Sequence, residues 1–154
     1  MAMTNNTTNT TNTTNTTNTT ANSTTTTTEI LTVVDRYIAV WAVTDPAERA
    51  KAVADLWSDH GIEYVEGQQY IGRPALAERI AEAHDAFVAN AAYTAVGGDD
   101  ATIHDDIVTF TIRLDHAQGE DAGETAWSAR VFLVLDAEGR IREDYQLTVK
   151  PLAV

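Results

Sequence analysis

Residues 124–149 read ETAWSARVFLVLDAEGRIREDYQLTV, and this stretch decides the fold. Two runs of β-forming residues flank the turn Ala137-Glu138-Gly139. In the second run, period 2 places Ile141, Tyr145, Leu147 and Val149 on one face. Arg140, Arg142, Asp144, Gln146 and Thr148 fall on the other. Glu143 is the anomaly, because strict alternation directs its carboxylate into the apolar face. In the first run, Val131-Phe132-Leu133-Val134-Leu135 does not alternate, so both faces of that strand are expected to be covered. One cover is the domain's own helices. The other is expected to be a second copy of the chain, giving a homodimer through the sheet.

Upstream, the pattern is helical. Ile30, Val34, Tyr37, Ile38 and Trp41 recur at helical spacing behind a capping box at Thr26-Thr27-Thr28-Glu29. Asp45-Pro46-Ala47-Glu48 opens a second helix that buries Val53, Leu56 and Trp57. Asp59-His60-Gly61 reads as a turn. Ile62–Glu66 and Gln69–Ile71 read as a short hairpin reversing at Gly67-Gln68. Gly72-Arg73-Pro74 opens a third helix, running to about Asn90, with Leu76, Ile80, His84 and Phe87 on one stripe. Tyr93–Val96 is expected to be a strand, and Thr102–Asp115 a long one with Val108, Phe110, Ile112 and Leu114 inward. This order predicts an α+β domain, with the helices on one side of a curved antiparallel sheet.

Composition excludes several functions. The 154 residues include 23 acidic and 10 basic side chains, a net charge of −13 that repels phosphate backbones and anionic lipid. Neither nucleic acid nor a membrane surface is an expected partner. With no cysteine, thiol catalysis and thiolate zinc sites are ruled out, and the four histidines lack metal-pair spacing. No metal is expected. No apolar run approaches the ~18 residues of a membrane span, and no signal peptide is visible, so a cytoplasmic location is the expectation. Met1–Thr28 is almost all Thr and Asn, which predicts a disordered tail before a domain at residues 29–154.

Four segments carry a family likeness: Tyr37-Ile38-Ala39-Val40-Trp41, Leu56-Trp57-Ser58-Asp59-His60-Gly61, Gly72-Arg73-Pro74-Ala75-Leu76 and Gly139-Arg140-Ile141-Arg142-Glu143-Asp144-Tyr145. In this order and spacing they resemble the nuclear transport factor 2-like superfamily, particularly its SnoaL-like, polyketide-cyclase-like branch. The resemblance implies a cone of curved sheet wrapped over three helices, usually dimeric, with an apolar pocket inside. Its members include isomerases, cyclases, epoxide hydrolases, dehydratases and non-catalytic proteins, so it does not name a reaction. The cyclase-like members often carry His and Asp at the positions of Asp144 and Gln146. The ketosteroid isomerases' catalytic Asp-Pro pair, aligned from Asp59, falls on Tyr64 and Val65. Tyrosine is a poor base at neutral pH, and Glu63 or Glu66 would substitute only in a different strand register. Arg113 with Asp115 imitates only part of an epoxide-hydrolase triad.

Glu143 is the first catalytic candidate, since a carboxylate facing an apolar interior is held protonated to higher pH and suits acid/base work. Pairing with an Arg or a Tyr hydroxyl, or a place at the rim, is the simpler alternative. Asp144, of opposite parity, is expected to be an exposed or interface group. His84, within the third helix's apolar stripe, is either a hydrogen-bonded core residue or the partner of Glu143 across the cavity. Tyr37, Trp41, Trp57, Tyr64, Trp127 and Tyr145 are candidate pocket walls for a hydrophobic or ring-bearing metabolite. Any chemistry is expected to be cofactor-free: isomerisation, cyclisation, dehydration or hydrolysis. A non-catalytic binding or association module is the alternative.

Overall fold

A computed structural model describes residues 31–153. The Thr/Asn tail, the capping box and Ile30 lie outside them. Helix α1 (31–40) buries Val33, Val34, Tyr37 and Val40 and ends in tight turns closed by the amides of Trp41, Ala42 and Val43. Helix α2 (Pro46–Leu56) starts as its sequence predicts: the Asp45 carboxylate accepts from the Glu48 amide at 2.9 Å, satisfying an orphan donor of the first turn. Helix α3 (Arg73–Ala83) follows Gly72, whose φ of 85° is a conformation that disfavours any other residue. It continues as a single π turn, His84–Val88, which widens the helix end and turns Phe87 and Val88 toward the interior.

The strands are β1 (Trp57–Val65), β2 (Gln68–Ile71), β3 (Tyr93–Gly97), β4 (Thr102–His104), β5 (Ile107–His116), β6 (Thr125–Leu135) and β7 (Ile141–Lys150). They form one curved sheet of order β2-β1-β7-β6-β5-β3, with β4 also pairing β5. The long meander is antiparallel as expected, but β1 joins β7 in parallel. Helices and sheet enclose a core led by Trp57, Tyr37, Phe110, Leu76 and Ile80. The predicted inward row Val108, Phe110, Ile112 and Leu114 is buried.

Three local expectations are corrected. The segment Asp59-His60-Gly61 is not a turn but part of β1, where the pairing with β7 slips between Trp57 and Ile62. The Arg73 guanidinium fastens this irregularity by donating to the Trp57 carbonyl at 3.1 and 2.9 Å and pairing with Asp59. The β1–β2 reversal centres on Glu66-Gly67, both with positive φ (49° and 78°), as a tight hairpin of this handedness requires. Residues 102–115 are split by Asp105-Asp106 into β4 and β5.

The fourth correction bears on the site. On β7, Leu135 faces Ile141 but Val134 faces Glu143, so Arg142 is an extra residue in the ladder. Such a bulge moves every following side chain to the opposite face. Ile141 is buried as predicted; after it Asp144 and Gln146 point inward, and Glu143, Tyr145 and Leu147 point out.

Candidate functional site

The bulge brings Asp144 beside Glu63, its partner in the parallel β1–β7 register, and both carboxyl groups are 0% exposed. The Tyr37 hydroxyl on α1 donates to Asp144 Oδ2 at 2.8 Å. Gln146 Nε2 donates to the Tyr37 hydroxyl oxygen at 2.7 Å and reaches Glu63 Oε1 at 3.4 Å. Arg79, from the middle of α3, stands 3.5 Å from Glu63 Oε1, in ion-pair range but without hydrogen-bond geometry. Its guanidinium lies 5.9 Å from the Trp41 ring centre and 5.4 Å from that of Tyr70. Glu63 Oε2 and Asp144 Oδ1 are buried without a hydrogen-bond partner.

Burial disfavours charge on these groups. It pushes Glu63 from 4.5 up to about 7, with Arg79 opposing the rise. Burial, then repulsion from Glu63, raises Asp144 well above the usual carboxylate range. Burial and the neighbouring Asp144 likewise raise Tyr37 well above 10.0. Two adjacent desolvated carboxyl groups sharing one Arg favour a state with a single negative charge.

This cluster sits at one end of a cavity of about 440 Å³. Arg79 and Gln146 supply polar wall, while Trp41, Phe87, Ile112, Leu114 and Trp127 supply much of the apolar wall. Exposed Glu66 and Gln68, with Pro151 and Leu152 of the C-terminal segment, also line it and mark its mouth. Glu63 touches both polar wall residues but does not itself line the cavity.

The candidate residues are therefore redistributed. Trp41 and Trp127 line the cavity; Tyr37 and Trp57 lie in the core beside it, their rings 5.7 Å apart. Tyr64 and Tyr145 do not face inward: they stack at 4.7 Å on the outer sheet face. Glu143 is also outside, its side chain 31% exposed, accepting from the Tyr145 hydroxyl at 2.7 Å and lying 3.5 Å from Arg142. It shares no cavity with His84. That histidine is buried with Nδ1 2.8 Å from the Trp41 carbonyl oxygen, so Nδ1 donates and ties the end of α3 to the end of α1. Asp144, expected outside, is the buried member. Glu63 entered the sequence reading only as a substitute base in a different strand register; its inward parity, shared with Gly61 and Val65, was obscured by the apolar Ile62 and Tyr64.

Among solved structures, a candidate isomerase of the SnoaL-like family from Agrobacterium tumefaciens superposes with a TM-score of 0.68 at 24% identity, covering 79% of this chain and 97% of its own. A candidate polyketide cyclase from Sinorhizobium meliloti gives 0.55 at 16% identity, over 74% and 92% of the two chains. The chain has the nuclear transport factor 2-like fold. A protein of the ketosteroid isomerase-like fold from Catenulispora acidiphila, in complex with trimethylamine, is similar to this chain with a TM-score of 0.54 at 20% identity, over 74% and 82% of the two chains. At these identities the likeness establishes architecture. No protein-family model matches the sequence, and neither does any curated protein. No described helix is long and apolar enough to cross a membrane.

Proposed function

We propose that this nuclear transport factor 2-like chain binds a flat, largely apolar small molecule and performs cofactor-free acid/base chemistry on it, with Glu63 as the proton-transfer group. The observation that carries this reading is Glu63: a fully buried carboxylate, held protonated to about pH 7, with one oxygen unpartnered behind an aromatic-walled cavity. A group that titrates near neutral pH both takes and returns a proton at low cost. Isomerisation, cyclisation, dehydration and hydrolysis all use such a step. Direct transfer requires the Arg79 or Gln146 side chain to yield, since these stand between Glu63 and the cavity. That interposition favours the second reading, ligand binding without chemistry.

A base-sensitive reporter, 5-nitrobenzisoxazole, separates the two. Its ring opening above background should rise with pH through about 7 in the wild type and vanish in Glu63→Gln. Reporter that binds but opens no faster than in buffer leaves binding alone.

We also infer self-association through the outer sheet face. Ile62, Tyr64, Tyr145, Phe132, Val134 and Leu147 run across adjacent strands there. The acids along it are paired, Asp100 with Arg130 at 2.6 Å, Asp115 with Arg113 at 2.9 Å and Glu143 with Arg142 at 3.5 Å. On a chain of net charge −13, this is a face on which two copies can meet without carboxylate repulsion.

A further inference from the structure

The cavity's polar end has donors to spare. Trp41 lines the cavity, and its indole N–H is buried with no partner. Arg79 lines it too. Among the described residues no acceptor is hydrogen-bonded to its guanidinium, and its one ion-pair contact, Glu63 at 3.5 Å, engages only Nε. A guanidinium carries five N–H donors in a planar fork; here Nε is buried without a hydrogen bond, and the two Nη groups have no hydrogen-bond acceptor among the described residues. Gln146 donates its amide nitrogen to Tyr37 and Glu63, and its amide oxygen accepts from neither the Trp41 indole nor Arg79 Nε, both of which are without a hydrogen bond.

Carboxylates cannot fill this need from the protein side. Glu63 does not line the cavity, and Glu66, the acid that does, is exposed and accepts from the Thr148 hydroxyl at 3.0 Å. The guanidinium is also held in place, close to the rings of Trp41 and Tyr70. A planar, fixed fork is suited to bidentate capture of a planar anion. The apolar remainder of the wall, Phe87, Leu114 and Trp127 among it, suits a ring system.

We propose that the cavity selects a flat, ring-bearing carboxylate, whose acid group docks on the Arg79 guanidinium beside the Trp41 ring. This rests on the cavity being a ligand site and adds the ligand's charge. It assigns Arg79 as the specificity-determining residue. The net charge of −13 opposes entry of any anion, so the preference has to come from these local donors.

The test uses three probes of one shape on the full chain by titration calorimetry: 2-naphthoate, neutral 2-naphthalenemethanol and the cation 2-naphthylmethylammonium. Wild type should bind naphthoate at least ~10-fold tighter than the alcohol, the increment expected of a charge-assisted hydrogen-bond pair. Glu63→Gln/Arg79→Gln removes both charges together and so leaves no unpaired buried ion. It should bind naphthoate and alcohol within about threefold of each other, with the alcohol affinity of the wild type retained. Arg79→Lys keeps the charge beside Glu63 and serves where the double variant does not fold; losing the planar fork should cost it at least ~3-fold of the preference. Equal binding of naphthoate and alcohol by wild type, a preference for the ammonium, or an unchanged preference in the variants overturns the proposal and leaves the ligand site standing. Binding of none of the three probes removes the ligand site itself and the proposal with it.

Discussion

Replacing Glu63 by Gln should make the protein markedly more stable at pH 8 and change its stability by less than about 1 kcal/mol at pH 5. Glutamine imitates the protonated carboxyl group in shape and charge, so the variant isolates the free energy of ionising Glu63. In the unfolded chain that group loses its proton near 4.5, and in the folded protein near 7, because burial outweighs the attraction of Arg79. Between those values the folded state holds a proton that the unfolded state has released. The unfolded state therefore gains on the folded one as pH rises. Stability is complete below 4.5, falls through the window and levels off above 7. The interval, at ~1.4 kcal/mol for each tenfold step in proton concentration, comes to about 3 kcal/mol. The Asp144 carboxyl acts in the same direction: the part of its rise due to burial is common to both proteins, and the part due to the Glu63 charge is lost in the variant and adds to the difference. Urea unfolding of wild type and variant at pH 5, 6, 7 and 8 supplies the curve. A difference below about 1 kcal/mol at pH 5 that grows to about 3 kcal/mol at pH 8 is expected. A difference independent of pH, or a wild type that gains on the variant as pH rises, refutes the assignment of Glu63 as a buried, proton-holding group.

Other perturbations read other parts of the structure. Tyr37→Phe deletes the hydroxyl that joins Asp144 to Gln146, leaving both with fewer partners inside the core, and should cost about 1–3 kcal/mol in urea unfolding; a cost below ~0.3 kcal/mol means the hydroxyl is not part of a closed network. Gly61→Ala places a methyl 2.8 Å from the Trp57 ring and 3.1 Å from the Ile141 carbonyl oxygen, and should cost about 1–3 kcal/mol by the same assay. An unaffected Gly61→Ala argues against this close passage of β1 over β7. Glu143→Ala should leave 2-naphthalenemethanol affinity within about twofold, because its carboxylate is on the outer face; a large loss returns Glu143 to the cavity. Leu147→Glu, at a residue 58% exposed in the single chain, should shift sedimentation toward monomer at micromolar concentration. A wild type that sediments as a monomer removes the dimer.

Much of the fold was legible because its signals are local. Asp45 and Pro46 start a helix by capping chemistry, Gly139 turns the last hairpin, and the inward row of Val108, Phe110, Ile112 and Leu114 follows from alternation alone. Trp41 and Trp127 were placed at the cavity for the same reason, as large apolar side chains on inward stripes. The sequence by itself thus determined the class of architecture, the order of its elements and the existence of an aromatic-walled interior. The tertiary structure decided which carboxylates enter that interior. One extra residue in a ladder carries no mark in the local pattern, since Arg142 suits a strand as well as a bulge does. Yet it exchanges Glu143 and Tyr145 for Asp144 and Gln146 on the inner face. Pairing across the sheet then sets Asp144 against Glu63, from a strand some eighty residues earlier (Glu63↔Asp144). A pattern of period 2 fixes neighbours along one strand; the register between strands is settled by contacts the sequence spells out nowhere in one place.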